Sequence, residues 1–255
     1  MRALREAAGL FTVIPVRPFD VDGATATRAM AAFPWLGLLL GAGAGCLTWL
    51  TATLISPLLG AVTGLALLAV VTGGLHLDGV ADTADGLGCR KPREQALEIM
   101  RRSDIGPMGV VTLVFVLLIQ VAALATAAPR FAGAALAVSA MASRLAVCVA
   151  TASKRSARVS GFGALFVGAT APVTVAVNIV LAGVVTVVLG WVSAGWQGTV
   201  ALAVAGVAAG LVAWGWGRRL ARRFGGWTGD TFGSLIEVTQ TAFLFVAALA
   251  FGVVA

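Results

Sequence analysis

Charge is the scarcest property of this 255-residue chain. Asp, Glu, Lys and Arg make up 11% of it, and hydrophobic types 59%. A soluble domain carries about 25% charged residues, so this chain cannot cover a water-facing surface of its own. The same composition excludes a disordered chain and a collagen. Cysteine is equally sparse: Cys46 and Cys148 fall inside apolar segments and Cys89 in a polar one. That odd, scattered set excludes a disulfide framework. No small-residue cleavage site follows the N-terminal stretch MRALREAAGLFTVIPVRP, whose short apolar run is broken by Pro15. It reads as an interfacial helix, not a removed signal peptide. Internal repeats and low-complexity linkers are also missing.

What is present is a series of charge-free apolar runs. A spanning helix needs roughly 20 apolar residues. The runs predict seven spans, at 29–55, 57–75, 106–128, 131–151, 170–191, 197–216 and 234 to the end. The expected fold is all-α, a polytopic integral membrane protein with about seven transmembrane helices. Residues 1–255 are expected to form a single membrane-embedded catalytic domain. Residues 1–28 form its interfacial segment, 76–105 a catalytic loop and 217–234 a second loop. Frequent Gly and Ala within the runs allow close helix approach.

The net charge of +7 would suggest nucleic acid in a soluble protein. Here it reads as basic residues held in loops on one side, and no nucleic-acid partner is expected. All Lys and Arg except Arg130 and Arg144 fall in the N-terminal segment or in three loops. These loops carry Arg90 to Arg102, Lys154 to Arg158 and Arg218 to Arg223. The positive-inside rule puts all four segments in the cytoplasm, with the chain in the cell inner membrane, the lipid bilayer as its partner, and the C-terminus outside. The acids, from Glu6 to Glu237, lie on or next to the same face. Acids do not set topology, so their clustering points to a polar active site there.

The densest constellation is GGLHLDGVADTADG at 73–86. Asp78, Asp82 and Asp85 stand at i, i+4 and i+7, one face of a helix. Clustered anions beside an apolar span need cations, and oxygen-only ligands suit Mg²⁺, which keeps positions open for substrate phosphates. The plainer reading is a solvated acidic loop. His76, the single histidine, is a candidate general base or a support for a metal ligand; a polar interface anchor is the alternative. In KPREQALEIMRRSDIGPMG, residues 91–109, Arg93 and Arg101 could hold phosphate oxygens in their planar forks, on a helix that otherwise reads as amphipathic and surface-lying. Arg144 sits inside an apolar run, where an ionisable residue is a functional candidate by default and snorkelling is the alternative. Arg158 is a further candidate for phosphate. In RRFGGWTGDTFGSLIEVTQ, residues 222–240, glycines let backbone amides approach a ligand. Asp230 and Glu237 stand seven apart there, and Glu237 enters the last span, where it needs a metal, an Arg or a substrate hydroxyl.

Taken together, FTVIPVRP, FPWLGLLLG, TGGLHLDGVADTADG, ALEIMRRSDIGPMG, the ASR around Arg144, ARVSGFG and GGWTGDTFGSLIE resemble the cobalamin synthase (adenosylcobinamide-GDP ribazoletransferase) family, in the family's order over nearly the whole chain. The resemblance implies a Mg²⁺-dependent membrane enzyme. It would join adenosylcobinamide-GDP to α-ribazole or α-ribazole 5′-phosphate and release GMP. Its implied site has His76, Asp82 and Glu237 in catalysis, Arg93, Arg101, Arg144, Arg158 and Asp230 on substrate, and Asp78, Asp82 and Asp85 on metal. Homo-oligomers are compatible with it. One departure stands out: Arg102 occupies the place where the family commonly has an acid, and Asp104 follows two residues later. The runner-up, a CDP-alcohol phosphotransferase, fits at Asp82, Asp85, Gly86 and Arg90 but fails at Ile99, Ser103 and Pro107. An ion-coupled transporter is a third reading. It would show internal repeats and midplane acids, and the sequence has neither.

Overall fold

The computed structural model describes residues 1–102, 104–153, 155–158 and 160–254; Lys154 and Ser103 lie outside the described residues. The elements are α1 (Arg2–Phe11), α2 (Gly23–Leu54), α3 (Pro57–Val71), α4 (Leu75–Gly88), α5 (Arg93–Ile99), α6 (Pro107–Ala125), α7 (Pro129–Ala150), a 3₁₀ turn (Phe162–Phe166), α8 (Pro172–Phe224) and α9 (Gly229–Val254). No strand occurs among the described residues. The architecture is all-α, as the apolar runs predict.

Local chemistry sets the helix starts. Asp22 caps α2 by accepting from the Thr25 amide at 2.7 Å, and Ser56 caps α3 by accepting from the Leu59 amide at 3.2 Å. Pro57, Pro107, Pro129 and Pro172 each occupy the first turn of a helix, where a missing amide costs nothing.

Five helices are long and apolar enough to cross a membrane. The 53-residue α8 is two of the expected spans, because Ala194 and Gly195 leave helical geometry and the chain folds back there. A Cβ on Gly190 would lie 2.6 Å from Thr199 Cα, so the two limbs touch backbone to backbone. The limb after the break runs on to Phe224, past the expected end at Trp216, and carries Arg218, Arg219, Arg222 and Arg223 out of the apolar layer. With these helices, and with α8 folding back on itself, the chain is a multi-pass membrane protein.

The expected span 57–75 ends earlier, at Val71. Gly73 (φ 61°) and Gly74 (φ 71°) take left-handed conformations that side chains resist, and α4 leaves α3 at 90°. This turn lays the acid-bearing part of α4 across one end of the bundle instead of extending it through the bilayer.

The core is built on close approach. Gly37, Gly41 and Gly45 recur every fourth residue on α2 and face Ala140, Ala137 and Gly133 of α7. This is the small-residue packing that holds helices together in lipid, where apolar side chains gain nothing from avoiding the solvent.

The basic segments converge at one end. The Val13 amide donates to the Val71 carbonyl at 2.8 Å, and Arg223 Nη2 to the Lys91 carbonyl at 2.6 Å. Ala157 and Trp227 are joined by an amide-to-carbonyl bond of 3.0 Å. At the opposite end Gln197 Nε2 donates to the Val254 carbonyl and Arg130 lies over Trp49.

Candidate active site

The crossing of α4 and α9 brings the acids together. A Cβ on Gly79 would sit 2.7 Å from the Asp230 carbonyl oxygen and 3.0 Å from Gly233 Cα. Only glycine at both positions lets the backbones meet. Asp78, beside Gly79, and Asp82, one turn further along α4, are thereby set against the first turn of α9. There Asp230 pairs with Arg158 at 3.1 Å. Arg158 also donates from Nη2 to the Leu97 carbonyl, while its Nε is buried without a partner among the described residues. Burial pushes the Asp82 carboxyl up to about 7, reinforced by the charges of Asp78, Asp230 and Asp85 and opposed by Arg158.

Asp85 has a different setting from its neighbours. Its Oδ2 accepts from the Gly106 amide at 2.7 Å and its Oδ1 from the Gly109 amide at 2.9 Å. It caps the start of α6 from a neighbouring helix, where the macrodipole favours an anion. Asp78 is exposed and has no hydrogen-bond partner among the described residues. Asp104 and Arg101 are exposed too, and among the described residues no hydrogen bond or ion pair ties either of them to the acids. Arg93 lies against Gly225 (φ 76°) at the end of α8 and donates to the Ala157 carbonyl at 3.3 Å. It holds loops together at the same end of the molecule.

Arg144 and Glu237 belong to a second, deeper layer. Both are buried. Arg144 Nη1 donates to Gln240 Oε1 at 3.3 Å, Gln240 Nε2 to Gln120 Oε1 at 3.1 Å, and Gln120 Nε2 to Glu237 Oε2 at 3.1 Å. Glu237, whose expected partner is a metal, an Arg or a substrate hydroxyl, here accepts from an amide of α6. Gly37 makes room for Arg144, since a Cβ there would lie 2.9 Å from Arg144 Cδ. The chain of amides borders a cavity of about 20 Å³ that His76 also lines, room for about one water molecule. His76 is buried, and its Nε2 has no partner among the described residues.

The sequence reading did not single out Gln120 or Gln240. The signal was there: each is an amide inside an apolar run, and polar groups in such places are rarely idle. Gln240 also stands three residues after Glu237, on the same helical face.

No group of three or more His, Cys, Asp or Glu side chains among the described residues stands close enough to hold a metal ion. A full protein cage is not what Mg²⁺ requires, however. It binds through one or two carboxylates, keeps waters and takes substrate phosphates. Asp78 and Asp82, oxygen donors with no ion-pair partner among the described residues, stand beside the Asp230–Arg158 pair and fit that pattern.

A family model described as cobalamin-5-phosphate synthase matches residues 3–248. An adenosylcobinamide-GDP ribazoletransferase of Frankia casuarinae is 41% identical over 264 residues, covering 98% of this chain and 95% of the relative. Proteins of the same name from Klebsiella pneumoniae strain 342 and Escherichia coli O139:H28 are 37% and 36% identical. Those matches cover 85% and 86% of this chain, and 86% of each relative. No solved structure matches.

Proposed function

Because the chain belongs to the cobalamin-5-phosphate synthase family, we propose that it is a Mg²⁺-dependent transferase that joins adenosylcobinamide-GDP to α-ribazole, or to its 5′-phosphate, with release of GMP. The observation that carries this reading is the meeting of Asp78 and Asp82 with the Asp230–Arg158 pair across Gly79 and Gly233. Acids with one arginine at the end of a membrane bundle suit a diphosphate with its counter-ion better than they suit an apolar ligand.

In this reaction a ribose hydroxyl oxygen bonds to the phosphorus that carries the corrinoid. The anhydride bond to the GMP phosphate breaks, GMP leaves, and the hydroxyl proton passes to a carboxylate of the cluster. Asp78 and Asp82 would hold Mg²⁺, which supplies charge neutralisation at the phosphate oxygens. Arg158, with its buried and unpartnered Nε, orients a phosphate. Asp230 holds Arg158 in place and faces the incoming hydroxyl. Asp85 anchors the start of α6 and so fixes the far end of α4. Arg144 and Glu237 set the floor beneath the acids through the two glutamines. Arg93 and Arg101 add positive charge at the same end, where anionic substrates arrive. The basic loops at this end support a cytoplasmic orientation under the positive-inside rule, with the chain in the cell inner membrane.

The test uses detergent-purified protein with adenosylcobinamide-GDP and α-ribazole, with and without Mg²⁺. The corrinoid product and GMP form together, and chelation of the metal stops both. Asp82→Asn inserts into the membrane normally and loses turnover. An Asp82→Asn protein with full activity, or wild type that forms no product, overturns the reading.

A further inference from the structure

A second cavity opens directly beside the acids. It has a volume of about 220 Å³ and is lined from α1, α2, α4, α7, the 3₁₀ turn and α9. Its walls are aromatic: Phe11, Phe33, Phe162, Phe166 and Phe232 all line it. Phe11 packs at 4.4 Å from Phe33, 5.9 Å from Phe162 and 5.2 Å from Phe166, centroid to centroid. The rings thus brace one another as a fixed wall. Asp78, Arg158 and Asp230 stand among its lining residues. His76 also borders the cavity, and its buried Nε2 has no partner among the described residues.

We propose that this cavity is the subsite for the flat heterocyclic base of the nucleoside acceptor, with His76 donating from Nε2 to the ring nitrogen that is not bonded to the sugar. The assignment rests on the transfer reaction proposed above and adds where one of its substrates sits. Three properties carry it. The volume suits one bicyclic ring system and is far too small for a corrin. The walls offer five phenylalanine rings to the faces of a flat base, and the charged side chains beside them, Asp78, Arg158 and Asp230, belong to the reacting cluster. A glycosylated benzimidazole has a single acceptor nitrogen, and His76 Nε2 is a buried donor of the lining without a partner among the described residues. Finally, the polar lining lies where the sugar of a base held here would reach, so the ribose hydroxyl arrives beside Asp78 and Asp230. His76 then reads the base, and deprotonation of the hydroxyl is left to the acids.

The experiment measures binding and turnover on the same detergent-purified full chain. α-Ribazole binding is followed by titration calorimetry without the corrinoid, and KM is determined for each substrate. Free benzimidazole competes with α-ribazole and not with adenosylcobinamide-GDP. Phe162→Ala, at a half-exposed position on the rim, raises both Kd and KM for α-ribazole at least fivefold and leaves the KM for the corrinoid within twofold. An indole riboside, which lacks the second ring nitrogen, binds wild type at least tenfold more weakly than the benzimidazole riboside. In His76→Phe the two bind alike. Gel filtration and thermal midpoints confirm that both variants are folded, and the benzimidazole competition needs no variant at all. Competition against the corrinoid nucleotide instead would give the cavity to guanine and overturn the proposal. So would a lipid acyl chain that co-purifies in the cavity, with α-ribazole affinity unchanged by Phe162→Ala. If wild type neither binds α-ribazole nor forms product, the transfer reaction itself fails. If it turns over but the competition and Phe162 arms show no effect, only the subsite fails.

Discussion

Replacing Gln120 with leucine keeps the side chain's bulk and removes three hydrogen bonds at once. The amide donates to Glu237 Oε2 at 3.1 Å and to Thr241 Oγ1 at 2.9 Å, and accepts from Gln240 Nε2 at 3.1 Å. Hydrogen bonds between membrane helices average about 0.6 kcal/mol each, so their loss alone costs about 2 kcal/mol. The residues left behind raise that figure. Glu237 and Gln240 are both buried, and a buried polar group without a partner costs about 1–3 kcal/mol. The expected loss is therefore about 2–4 kcal/mol, measured as the shift in unfolding free energy of the purified protein titrated with denaturing detergent. Gln240→Leu removes two bonds of the same chain, one of them shared with Gln120, so the double variant should be less damaged than the sum of the singles by about 1 kcal/mol. A Gln120→Leu protein within about 0.5 kcal/mol of wild type, the range of an ordinary surface substitution, would refute the account. Strict additivity in the double variant would refute the claim that the amides act as one chain.

Asp85→Asn should lower the thermal midpoint, because an amide can accept from only one of the Gly106 and Gly109 amides, a loss of about 1 kcal/mol. The Mg²⁺ concentration for half-maximal activity should stay within twofold; a tenfold rise with unchanged stability would instead make Asp85 a metal ligand. Glu6 is buried in α1 against Arg28 at 2.7 Å and Arg2 at 2.9 Å, and the hydrogen bond from Arg28 holds its carboxyl below the ordinary 4.5. Its folded pKa is depressed, so its contribution is complete above pH 4.5 and is lost as pH falls through the folded value. Thermal midpoints taken from pH 7 downward should show this acid-dependent loss in wild type and a smaller one in Glu6→Gln; equal slopes would refute it.

The sequence by itself determined which segments enter the membrane and which residues share a helical face. Both are local properties. A run without charge has nowhere else to go, and i, i+4, i+7 spacing puts Asp78, Asp82 and Asp85 together on any helix. Two glycines with φ above 60° were visible as residues but not as the 90° turn that swings α4 across the bundle. Only tertiary packing decided the partners. Asp230 reaches the α4 acids because Gly79 and Gly233 allow the two backbones to touch, a contact between residues about 150 apart in the chain that no spacing encodes. Glu237 took an amide from α6 for the same reason: a buried carboxylate takes whichever donor the packing delivers. The spacing of Asp85 matched that of its neighbours, yet its oxygens went to the start of α6. The aromatic cavity likewise draws its rings from α1, α2, a 3₁₀ turn and α9, elements that meet only once the helices are packed.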